Sequence, residues 1–120
     1  MRHPKTPKFI KDTQPYTLML RLSLRHGIAT AVTGGLVLQA RFPGLETRAA
    51  YKRANYMLKR LESLKYMKRQ RIEGVDCFAV TTLGCRWLEM QEGAPEGAYK
   101  NKVDTLRPTK AGNLRCKHRL

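Results

Sequence analysis

Between residues 47 and 88 the spacing of apolar residues runs from a helical period to an alternating one and back to helical, and this order of parts limits the folds open to the chain. At about 100° per residue, Ala50, Ala54, Met57, Leu58, Leu61 and Leu64 fall on one face of a helix. Arg48, Lys52, Asn55, Tyr56, Lys59 and Ser63 fall opposite. From residue 47 to 72, Glu62 is the only acid against nine Lys and Arg. A solvated helix ordinarily mixes both signs, because Glu to Lys pairs at i, i+4 stabilise it slightly. One-signed charge repels itself, and it makes physical sense where the face meets phosphates and releases their counterions. Arg48, Lys52 and Asn55 also carry the hydrogen-bonding chemistry for guanine and adenine edges in a major groove. The competing interpretation is a solvated face in a generally basic protein.

The charge is unevenly spread. The formal net charge of +15 over 120 residues divides into +3 for residues 1–12, +3 for 13–45, +7 for 46–72, −2 for 73–91 and +4 for 92–120. Charge alone suits DNA, RNA or an anionic membrane surface. Its peak on the long helix and the strand after it favours a groove reader. A chain of this length has room for one small core and two tails, which argues against a large catalytic cleft. No run approaches the 18 or more apolar residues of a membrane span, and residues 1–8 lack the apolar centre of a signal peptide, so a cytoplasmic location is expected.

Residues 1–12 hold two prolines and four cations, the composition of a flexible basic arm. Thr13 is expected to cap a first helix with Pro15 in its opening turn, Tyr16, Met19, Leu20 and Leu22 on its core face, and Gly27 at its end. In a second element, Thr30 can cap a helix whose apolar residues are Val32, Leu36, Val37 and Ala40. Gly34-Gly35 disfavours that helix, since each glycine costs about 1 kcal/mol relative to alanine, but it allows close packing. A short strand at 36–38 after a glycine turn stays open as the alternative. Phe42-Pro43-Gly44-Leu45 has turn composition. After the basic helix, residues 67–72 alternate as a strand, Glu73-Gly74-Val75-Asp76 can turn, and residues 77–80 return. Thr82 can cap a last helix over 83–91, with Leu83, Trp87, Leu88 and Met90 over the core. Residues 92–120 have the composition of a linker and basic tail, which places the domain at 13–91.

Catalysis, metal and cofactor have little support. The nine acids are scattered rather than clustered to hold a metal. His3, His26 and His118 do not form a Ser, His, acid arrangement, and no glycine-rich phosphate loop or effector pocket is evident. Cys77, Cys85 and Cys116 are odd in number without paired ligand spacing, and Cys116-Lys-His118 alone is a poor zinc signal. Reduced thiols are expected.

The run Leu58-Lys-Arg-Leu61-Glu-Ser-Leu64-Lys-Tyr66-Met67-Lys-Arg69, then the hairpin and Phe78-x-x-Thr81-x-x-Gly84-x-x-x-Leu88, resembles the bacterial winged helix superfamily of small regulators and of plasmid or phage replication and mobilisation accessory proteins. The resemblance covers roughly residues 13–91. It implies a mainly α fold with a small β-hairpin, a winged helix-turn-helix, in which Gly84 lets the last helix lie close. It also implies that the third helix enters the major groove through Arg48, Lys52, Asn55, Tyr56 and Lys59, while the wing lies on the backbone through Lys68, Arg69 and Arg71. The expected partner is double-stranded DNA, bound as a homodimer on a two-fold site. The expected role is a transcriptional regulator, a repressor by promoter occupancy. A structural RNA-binding protein of ribosomal type, or an accessory factor of plasmid or phage replication, mobilisation or packaging, is the alternative.

Two features complicate this mapping. Glu73 and Asp76 put acids near the turn of the wing, where phosphates would repel them, so the wing is expected to grip from its stem or turn its acids to a protein neighbour. Tyr56 could donate to a phosphate, contact a thymine methyl or pack at the rim of the core.

Overall fold

A computed structural model of the chain describes residues 12–99. The elements are α1 (Gln14–His26), α2 (Ala31–Arg41), α3 (Thr47–Ser63), β1 (Met67–Ile72), β2 (Val75–Val80) and α4 (Thr82–Glu92). Four helices and one two-stranded antiparallel hairpin thus share a single core, whose fully buried members include Met19, Leu20, Leu38, Leu58, Leu61, Phe78, Trp87 and Leu88.

Helix α1 starts differently from its expected cap. Thr13 holds the N-cap position without a side-chain cap bond, and Asp12 Oδ1 accepts from the Gln14 amide at 3.2 Å instead. Its inward face is Tyr16, Met19, Leu20, Ser23 and Leu24, with Leu22 only partly buried. Gly27, at φ 92°, ends the helix in a conformation that side chains disfavour. Ser23 is buried because it has work to do there: its Oγ accepts from the Val80 amide at 3.0 Å, which joins α1 to β2.

The second element is a helix, not a strand, and Thr30 caps it as expected. Thr30 Oγ1 accepts from the Thr33 amide at 3.1 Å, and Thr33 Oγ1 accepts from the Thr30 amide at 2.9 Å. Its buried face, however, is Ala31, Gly34, Gly35 and Leu38. Val32 and Leu36, two of the apolar residues the sequence gives this helix, stand 59% and 60% exposed. The glycines explain which face turns inward. A Cβ on Gly34 would meet Met19 Sδ at 2.9 Å and Ala54 Cβ at 3.0 Å, and one on Gly35 would meet the Tyr51 amide nitrogen at 3.2 Å. Helix α3 lies so near α2 that only small residues fit between them.

Gln39 fixes the turn after α2 by donating to the Leu45 carbonyl at 3.2 Å and to Thr47 Oγ1 at 3.0 Å. In the hairpin, Met67 pairs with Val80 and each following residue pairs in register to Ile72 with Val75. The loop is Glu73-Gly74 alone, with φ of 51° and 80°, so Val75 and Asp76 belong to β2 and not to the turn. Beyond the two strands, Ala29 and Phe78 exchange both backbone hydrogen bonds at 2.8 Å, a one-residue bridge between the α1–α2 connection and β2.

The cap of α4 is Thr81 rather than Thr82. Its Oγ1 accepts from the Gly84 amide at 3.1 Å and donates to the Lys65 carbonyl at 2.7 Å. Trp87 stacks on Tyr66 with centroids 5.2 Å apart, whereas Leu83 is exposed. Glu89 is buried, and its two carboxylate oxygens accept from the amides of Gly97 and Tyr99 at 3.0 and 2.9 Å. These bonds hold the segment after α4 to the body, in a stretch whose composition suggested a linker.

Candidate nucleic-acid interface

Helix α3 is amphipathic in the phase the sequence predicts. Ala50, Ala54, Met57, Leu58 and Leu61 are buried, while Arg48, Lys52, Tyr56, Lys59 and Ser63 are exposed and Asn55 is half-buried at the edge. No acidic side chain pairs with Arg48, Lys52 or Lys59 among the described residues, so their charge is offered outward. Seventeen residues make a helix about 25 Å long, and Arg48 to Lys59 spans about 16 Å of it.

Two flanks border this face. On one side, Tyr51, Asn55 and Lys59 line a groove of about 260 Å³ with Thr30, Ala31 and Val32 at the start of α2 and with Arg71, Gly74, Val75 and Asp76 at the end of the hairpin. On the other, Arg60 lies over the rings of Tyr56 at 5.3 Å and Tyr16 at 6.0 Å, and its Nη1 donates to the Tyr56 hydroxyl at 2.8 Å. Tyr56 therefore sits beside the start of α1, away from the hairpin. Its hydroxyl accepts from Arg60 and keeps its own proton to donate. Burial raises the pKa of the neighbouring Tyr16 hydroxyl, the charge of Arg60 partly opposes this, and Tyr56 adds a smaller upward push.

The hairpin cations divide by strand alternation. Arg69 and Arg71 share one face with Asp76, and Lys68 points to the other. Arg71 Nη1 lies 2.9 Å from Asp76 Oδ1, and Arg69 lies 3.8 Å from Asp76 and 3.4 Å from Glu62. The acid expected near the tip is thus turned onto the stem, where it offsets part of the charge of the two arginines expected to grip a backbone. Of the eight residues singled out in the sequence, the structure brings Asn55, Lys59 and Arg71 together, sets Arg48 and Lys52 along the same helix, holds Arg69 between Glu62 and Asp76 on the hairpin stem, and places Tyr56 and Lys68 apart.

Sequence reasoning missed Tyr51 and Val32. Tyr51 falls between the two faces on a helical wheel, and Val32 has the chemistry of a core residue. Only the position of the hairpin tip shows that both line one groove.

Cys77 and Cys85 are buried. Burial pushes Cys85 up to about 12, with Glu89 adding to the rise, and burial together with the charge of Asp76 raises Cys77. Neither is disposed to act as a nucleophile or metal ligand. No cluster of three or more His, Cys, Asp or Glu suited to a metal occurs among the described residues, and no helix there is long and apolar enough to cross a membrane. Cys116, His118 and His3 lie outside the described residues, as do residues 1–11 of the expected basic arm at 1–12 and residues 100–120 of the expected linker and tail at 92–120.

Comparison with protein-family models, with curated proteins and with solved structures returns no match to this chain.

Proposed function

We propose that this chain is a winged helix-turn-helix protein that binds double-stranded DNA with sequence selectivity and regulates a promoter by occupying it, as a repressor. The observation that carries the proposal is the outer face of α3, where Arg48, Lys52 and Lys59 stand exposed without acidic partners among the described residues on a helix whose other face is core. The order of the elements supports it. Helices α2 and α3 are joined by a short turn and pressed together through Gly34 and Gly35, the hairpin follows α3, and the Ala29–Phe78 bridge occupies the place of a short first strand. In this reading α3 enters the major groove, and the hairpin follows the backbone. Arg48, Lys52 and Asn55 read base edges, while Lys59, Arg71 and Lys68 meet phosphates.

The 16 Å from Arg48 to Lys59 matches about five base-pair steps of 3.4 Å. So short a footprint yields a selective site when two copies bind on a two-fold sequence.

Alanine replacement of Arg48 or Asn55 tests base reading. Each is expected to cost about 1 to 3 kcal/mol on a preferred duplex and to flatten preference at one or two base positions. Equal losses on preferred and random duplexes would refute base reading by that residue.

A further inference from the structure

The groove between α2, α3 and the hairpin tip has a mixed lining that phosphate binding does not explain. Its cations, Lys59 and Arg71, stand beside three large apolar side chains left open to solvent: Val32 at 59%, Tyr51 at 47% and Val75 at 49% exposed. Leu36, one turn along α2 from Val32, is 60% exposed as well. Leaving apolar side chains in water is unfavourable, and Val32, Tyr51 and Val75 exposed beside polar and charged groups in one groove suit a partner that offers both polar edges and a small apolar group. Asp76 lines the same groove and pairs with Arg71 at 2.9 Å, so Lys59 is the cation there without an acidic partner among the described residues, and it favours an anionic partner over a second apolar protein face. A duplex presents its phosphates and, in the major groove, one apolar group: the C5-methyl of thymine. The same groove holds Asn55, whose amide can donate to N7 and accept from the N6 amino group of adenine.

We infer that this groove recognises an A·T pair in the major groove, with Asn55 on the adenine edge and Tyr51 and Val32 enclosing the thymine methyl. This deepens the proposed DNA reading and rests on it. Asn55 is half-buried against the groove wall and so is limited in orientation, which suits a two-point contact with adenine. Tyr51 lies one helical turn before Asn55, and Val32 lies across the groove from it, so apolar surface is available on both sides of the amide.

The test uses the full chain and a preferred duplex selected from a random pool, with each thymine then replaced singly by uracil. Uracil keeps the base pair and removes only the methyl. At least one replacement is expected to weaken binding about fourfold, the worth of one buried methyl. In the combined Val32→Ala, Tyr51→Ala variant that penalty should vanish, whereas in Arg48→Ala it should persist. Both replaced side chains are exposed, so the unfolding midpoint should hold. A selective protein with no uracil penalty, or with a penalty that survives the combined variant, overturns the inference while leaving selective DNA binding intact. Failure of the pool to yield any preferred duplex overturns the DNA reading itself. Sedimentation of the free protein supplies the remaining arm: an oligomer that dissociates in the combined variant would make this patch a contact between copies and overturn the inference.

Discussion

Arg71 and Asp76 face each other across the hairpin, with the guanidinium Nη1 2.9 Å from the carboxylate Oδ1. Asp76 also lies 3.8 Å from Arg69, so one carboxylate damps two cations on the face that turns toward α3. Exposed pairs of this kind contribute little to stability, typically below about 1 kcal/mol. Their effect on an approaching polyanion is larger, because each cation already paired has less charge to give. Asp76→Asn should therefore tighten binding to preferred and random duplexes alike and steepen the dependence of log K on log salt by about one. Titrations at several salt concentrations measure both. An unchanged slope would mean that Arg69 and Arg71 stay off the backbone.

Gly84 lies against the carbonyl of Tyr66 so closely that a Cβ there would sit 2.2 Å from the oxygen. That oxygen accepts from the Thr81 amide at 3.0 Å, which leaves the backbone little freedom to withdraw. Gly84→Ala should destabilise the fold by about 3 kcal/mol or more in denaturant unfolding. Gly44, with open space where its Cβ would stand, is the control: Gly44→Ala should shift the midpoint little.

The buried carboxylate of Glu89 takes both of its oxygens' partners from the Gly97 and Tyr99 amides. Glu92 adds an ion pair to Arg21 at 2.6 Å and accepts from the Tyr99 hydroxyl. A chain ending at Gln91 strands Glu89 in the core and should lose about 3 kcal/mol relative to one ending at Lys100. Replacing Glu89 with leucine in the shorter chain should recover part of the loss. Equal stability of the two lengths, measured by urea unfolding, would show that the segment after α4 adds nothing.

Stability should also fall in alkali. Cys85 keeps its proton to about pH 12 in the folded protein because burial, and then Glu89, opposes the thiolate, while the unfolded chain gives up this proton near the ordinary value of 9.0. Between those values the unfolded state binds fewer protons, so stability is fully present below pH 9 and declines as pH rises. By pH 10.5 the loss from this group alone is about 2 kcal/mol. Burial raises Tyr66 and Tyr16 too, which adds to the decline at higher pH. Urea midpoints at pH 8 and 10.5 measure it, and a shallower decline in Cys85→Ala would assign it to this thiol.

The sequence reveals most where large side chains report burial directly. On α3 the buried positions carry leucine, methionine and alanine and the exposed ones carry cations, so a wheel of 100° steps finds both faces. On α2 the apolar residues are a poor guide, because the buried contact is made by Gly34, Gly35 and Ala31, whose small size lets α3 approach, while Val32 and Leu36 face out. Adjacent threonines at 81 and 82 can each cap a helix. The carbonyl of Lys65, sixteen residues earlier, favours Thr81, and no local pattern contains that bond. Glu89 illustrates the same limit, since its partners are backbone amides that carry no sequence signature. The groove that gathers Asn55, Lys59 and Arg71 depends on how the hairpin lies over α3, so its single residues were legible and its grouping was not.

The central claim is that the outward face of α3 reads duplex DNA. Its most direct test is the affinity of the full chain for a selected duplex against a random duplex and a structured RNA of equal length, at about 0.15 M salt, where long-range screening is strong. The account predicts that the selected duplex binds at least about 10³-fold more tightly than the random one. It also predicts that the RNA competes no better than random duplex, since the deep, narrow groove of A-form RNA does not admit a helix. Tighter binding to the structured RNA, or equal binding to both duplexes, would contradict it.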